Sequence, residues 1–116
     1  MIPSSVRIFV CTVPQDMRRS FDGLALAVQE RFGEDPQRGA IFVFINKRAN
    51  RIKALWFDKN GYCILYKRVH EAVFMPPRST EKERPIARID AKKLAAIFAG
   101  VEKPKPVRIK WHEALD

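Results

Sequence analysis

Apolar positions along the chain alternate between two spacings. Val6 to Thr12 alternates and is rich in β-branched and aromatic residues, the pattern of a strand, which Pro14 ends. The segment from Pro14 to Gly23 is polar. In it Asp16 can cap a short turn over Met17 to Ser20, and Ser20 or Asp22 can cap a helix. From Gly23 to Phe32 the spacing becomes helical: Leu24, Val28 and Phe32 share a face with Ala27 beside them, while Gln29, Glu30 and Arg31 lie elsewhere. Gly33 is suited to the helix C-terminus, and the polar residues from Glu34 to Gly39 form a loop.

Ala40 to Ile45 is an unbroken apolar run, as expected of a central strand covered on both faces. A polar turn from Asn46 to Arg51 leads to a strand over Ile52 to Phe57. Asp58-Lys59-Asn60-Gly61 then predicts a hairpin, with Asn-Gly supplying the positive φ, and Tyr62 to Val69 returns as its partner. Pro76 and Pro77 break the chain, and Arg78 to Arg84 is a charged connector. Ile86 to Ile89 reads as a short strand. Asp90 caps a helix to about Ala99, with Leu94, Ile97, Phe98 and Val101 expected on its buried face and Gly100 as its stop. Pro104 and Pro106 open a tail in which Val107 to Trp111 alternates, as an edge strand or an extended arm would. The pattern predicts one α+β domain over 1–102, with 103–116 as that arm or edge strand. The domain is an antiparallel meander sheet of about four to five strands, with two helices packed on one of its faces.

The chain has 116 residues, of which 47% are hydrophobic, so one compact domain can form a core. Charge adds more to the picture. Twenty-two Lys and Arg stand against 13 Asp and Glu, a net charge of +9, and such a surface attracts polyanions, nucleic acid first. Cys11 and Cys63 sit in apolar runs and form no paired framework, which fits a reducing, cytoplasmic setting. No signal peptide and no membrane-spanning run is expected.

The candidate nucleic-acid contacts are Lys47, Arg48, Arg51 and Lys53 on and after the polar turn, Lys67 and Arg68 on the neighbouring strand, and Arg18 and Arg19 near the first helix. Alternation along the strands means that not all of them share a face. Trp56, Phe57, Tyr62 and Tyr66 lie close by in sequence, as core or cross-strand residues before stacking partners. Asp16, Asp22 and Asp58 are the residues from which a Mg²⁺ site would have to be drawn, but capping and turn roles account for all three. His70 and His112 have no metal-ligand spacing, and no phosphate-cradling glycine loop or nucleophile elbow is present. The expectation is a protein without catalytic residues, metal or cofactor.

Asp16-Met17-Arg18-Arg19-Ser20-Phe21-Asp22-Gly23-Leu24 resembles the hallmark segment of the TnpB-type accessory proteins of insertion-sequence family sixty-six, the second small open reading frame of those elements. The resemblance continues through Asp35-Pro36, Ile41 to Arg48, Arg51 to Asp58, Gly61 and Tyr66 to Arg68, and thins beyond Pro77. It implies a protein encoded beside a transposase and supporting transposition, with no catalytic residues to carry over. Two modes of action follow. One is binding of DNA, at element ends or without sequence preference, through the basic residues. The other is docking on the transposase or another element-encoded protein, with Asp16, Phe21 and Asp22 in the contact and the edge strands and tail around them.

Overall fold

A computed structural model of the chain describes Pro3 and residues 5–103. The strand or arm expected beyond Lys103 lies outside the described residues. Five strands, β1 (Ile8–Cys11), β2 (Ile41–Ile45), β3 (Arg51–Asp58), β4 (Gly61–Arg68) and β6 (Ile86–Ile89), form one sheet in the order β4-β3-β2-β1-β6. Two short strands, β5 (Ala72–Val73) and β7 (Val101–Glu102), pair separately. Helix α1 (Phe21–Ala27) runs on into a wider, π-helical turn over Val28–Phe32, and α2 (Ala91–Ala99) follows β6. Among the described residues no helix is long and apolar enough to cross a membrane.

The expected meander is present as β2-β3-β4, antiparallel throughout, with Phe42 opposite Leu55 and Leu55 opposite Ile64. The rest of the sheet departs from a meander. β1 inserts between β2 and β6, antiparallel to β6 and parallel to β2, with Phe9 beside Phe42. A parallel pair needs a long crossover, and α1 with its flanking loops supplies it.

The two helices, expected on one face, cover opposite faces. Leu24, Ala27, Val28 and Phe32 pack on Phe9, Cys11, Phe42, Phe44 and Leu55. Leu94 and Ile97 of α2 pack on the alternate residues Ile8, Val10, Val43, Ile45, Ile52 and Ala54, joined by Phe74. This is why all four residues of β1 are buried: a strand covered on both sides is apolar at every position. Phe32 is the centre of the first layer, with its ring 5.4 Å from that of Phe42 and 5.6 Å from that of Phe44.

The local signals match the structure with a few shifts. Gly33 ends the first helical segment in the left-handed region (φ 62°), and Asp90 caps α2 by accepting from the Lys93 N–H at 2.7 Å. Ser20 stands at the start of α1 but makes no side-chain cap bond. In the β3–β4 hairpin Gly61 pairs with Asp58, and the positive φ falls on Lys59 (52°), not on Asn-Gly. Val101, expected on the buried face of α2, lies beyond the helix in β7 and is exposed.

Candidate functional site

The parallel pairing of β1 and β2 decides where the polar segments meet. Parallel neighbours end at the same edge of the sheet, so the loop after β1, Thr12 to Ser20, and the turn after β2, Asn46 to Asn50, lie side by side. β3 starts at that edge and β4 ends there. Pro14 to Arg18, the 46–51 turn and Arg68 enclose an open groove of about 740 Å³.

One wall is the turn. The Asn46 Oδ1 accepts from the N–H groups of Asn50 (3.0 Å) and Arg51 (2.9 Å), and its Nδ2 donates to the Asn50 Oδ1 at 2.7 Å. Ala49 takes a positive φ of 56° within this frame. Lys47 and Arg48 are exposed at the tip, and Arg51 stands directly across the ladder from Arg68.

The other wall is the loop. The Gln15 N–H donates to the Ile45 carbonyl at 2.9 Å, which pins the loop to the end of β2. Asp16 accepts from the Arg18 backbone N–H at 2.9 Å and from its guanidinium at 2.8–3.1 Å. The side-chain hydrogen bonds from Arg18 hold the Asp16 carboxyl down to a pKa of about 2. Lys53 anchors this wall from beneath: its ammonium donates to the carbonyls of Met17 (2.7 Å) and Arg19 (2.8 Å) and lies 4.8 Å from the centre of the Tyr66 ring. Burial, and then the charge of Arg51, push the Lys53 pKa below the ordinary lysine value.

Arg18, Lys47, Arg48, Arg51 and Arg68 therefore converge on one groove. Three other basic candidates do not join them. Lys53, expected among the free charges of the turn, is 8% exposed and occupied by two carbonyls. Lys67, opposite Ile52 and so on the α2 side of the sheet, donates to the Phe98 carbonyl at 2.7 Å near the end of α2. Arg19 turns back towards α1, reaching the Gly23 carbonyl at 3.5 Å. Of the three residues expected to meet a partner, Asp16 lies in the groove, whereas Phe21 and Asp22 are exposed on the first turn of α1. Asp58 is at the far end of β3 and lines a different, apolar groove beside α2, so it cannot share a cation with Asp16. Among the described residues no three of His, Cys, Asp and Glu gather as a metal site would need.

Sequence reading missed Gln15, which lines the groove yet is 5% exposed, with an Oε1 that finds no hydrogen-bond donor among the described residues. A polar residue between Pro14 and Asp16 carries no pattern that would have marked it as buried. The Asn46 and Asn50 frame had a weak signal in its four-residue spacing.

The model of a family described as "IS66 Orf2 like protein" matches residues 6–108. Two relatives come from Sinorhizobium fredii (strain NBRC 101917 / NGR234). Uncharacterized protein y4hO is 32% identical over 108 residues, 91% of each chain. Uncharacterized protein y4jC is 36% identical over 72 residues, 62% of each chain. No solved structure matches the chain.

Proposed function

The chain belongs to the IS66 Orf2-like family, accessory proteins of insertion sequences, and from that premise we propose that it supports transposition by binding DNA in the groove at the end of the sheet. The observation that carries this reading is the uncompensated charge there. Five cationic side chains line the groove, and the one carboxylate among them, Asp16, is already paired with Arg18. Like charges directly opposite on a ladder are destabilising, and Arg51 faces Arg68 in that way. The fold holds this charge together on a framed turn, an arrangement that a row of phosphates would neutralise with release of their counterions. Contacts of this kind position DNA without reading its bases.

The test is binding of element-end duplex and scrambled duplex across a salt series. The triple variant Arg48→Gln, Arg51→Gln, Arg68→Gln should bind at least about tenfold more weakly, and its log–log salt slope should fall by about 0.9 for each phosphate that the variant no longer neutralises. Equal affinity and slope in the variant would remove the groove from DNA binding.

A second reading is docking on the transposase or another element-encoded protein. It draws on the outer face of α1, where Phe21 is 45% and Leu26 48% exposed. The paired variant Phe21→Ser, Leu26→Ser should lose co-purification with the co-expressed transposase after nuclease treatment, while keeping its affinity for DNA. Retention of the complex by that variant would rule this face out.

A further inference from the structure

On the α2 side of the sheet, β3 and β4 carry apolar residues that α2 leaves open. Ala54, Trp56, Leu65, Leu94 and Phe98 line an apolar groove of about 760 Å³ there. Leu65 is 52% exposed. Cys63, directly across the ladder from Trp56 and so on the same face, is half-buried. β4 is also the last strand of its sheet, and among the described residues nothing pairs with its outer edge. An exposed apolar edge invites another strand, and proteins commonly cover it.

The chain itself leads back to this edge. After α2 it pairs in β7 with β5, Val101 opposite Val73 and Glu102 opposite Ala72, and the Lys103 N–H donates to the Glu71 carbonyl at 2.9 Å. Each further residue in that antiparallel direction steps back towards Arg68, the end of β4. Pro104 and Pro106 cannot donate to a ladder, so pairing starts at Val107. We propose that residues 107–111 add a strand antiparallel to the outer edge of β4, with Val107, Ile109 and Trp111 opposite Lys67, Leu65 and Cys63, closing the outer side of the groove. The β5–β7 register, carried on, gives the same pairs. Alternation then puts Arg108 and Lys110 on the other face, the one that carries Arg51 and Arg68. A slip of one residue would turn both cations into the apolar groove, so the hydrophobic pattern holds the register. Main-chain pairing supplies the affinity and the alternate side chains supply the fit, as for other strands added to a sheet edge. This inference is independent of DNA binding.

The test is disulfide formation in the full chain under mild oxidation. Directly opposite residues of an antiparallel pair stand roughly 4.5–5.5 Å apart at Cα, within disulfide reach. Trp111→Cys should join Cys63 within one chain at least about tenfold faster than Lys110→Cys, whose thiol points to the other face. Cys11 is buried and does not compete. Equal rates for the two variants, or no bond to Cys63 in either, would overturn the inference. Dimers linked through Cys63 as the main product of Trp111→Cys would give the edge to a second copy and overturn it as well. Because Trp111→Cys removes one of the three apolar contacts, amide exchange supplies a second reading. In the wild type, the β4 amides that point away from β3 should exchange at least about tenfold more slowly than in the full-length variant Val107→Ser, Ile109→Ser, Trp111→Ser. Equal exchange in the two chains would leave the edge unpaired by the tail and overturn the inference.

Discussion

Asp16 is the one acid among the cations of the groove, and its pairing sets how many of them are free. Arg18 is spent on it, which leaves Lys47, Arg48, Arg51 and Arg68 for a ligand. The pair has a measurable signature. The folded pKa of about 2 lies below the ordinary 3.8, so the contribution to stability is complete above the ordinary value and is lost as pH falls through about 2. The Asp16 carboxyl, followed by NMR, should titrate with a midpoint near 2 and move back towards 3.8 in Arg18→Ala. A wild-type midpoint at the ordinary value would mean that the pair does not form in solution. Lys53 shows the opposite fate for a charge. In the sequence it is one more cation beside Arg51, but the partners that take it out of play, Met17 and Arg19, are more than thirty residues away. Local pattern carries no trace of such a contact.

At the scale of elements, most boundaries follow from short-range chemistry and were legible. Asp90 and Gly100 bracket α2 as caps do. Asp90→Ala should cost about 1 kcal/mol and lower the thermal midpoint by roughly 4–8 °C. Under the proposed DNA binding its affinity should stay unchanged, because α2 lies on the sheet face away from Arg51 and Arg68. A loss of affinity in that variant would show that the α2 side takes part in binding. The first helical segment illustrates where periodicity stops. Leu24, Val28 and Phe32 repeat every fourth residue, and an α-helix of 3.6 residues per turn would carry that series progressively around its surface. The wider turn over Val28–Phe32 returns Phe32 to the sheet, where Phe42 and Phe44 receive it. The aromatic layer beneath decides the width of that turn, and the segment itself does not reveal it.

For the whole molecule, the net charge of +9 states only that polyanions are attracted. The topology gathers five of the basic side chains into one groove. In a pure meander β1 would run antiparallel to β2, and the Asp16–Arg18 loop would lie at the opposite end of the sheet from the 46–51 turn. The parallel pairing brings them to one edge, at the carboxyl ends of neighbouring strands, where open sheets that contain parallel strands commonly place their ligands.

The sequence by itself determined the five strands of the main sheet and the two helical segments, the β2-β3-β4 meander, the two-sided burial of β2, the basic balance and the family, since each depends on spacing, turn residues or contiguous motifs. Tertiary structure alone decided that β1 joins beside β2 in parallel, that the helices take opposite faces, and that Lys53 is buried while Arg51 and Arg68 stay in the groove. Those outcomes depend on which of several compatible strand pairings buries the most apolar surface, and that is a property of distant residues acting together.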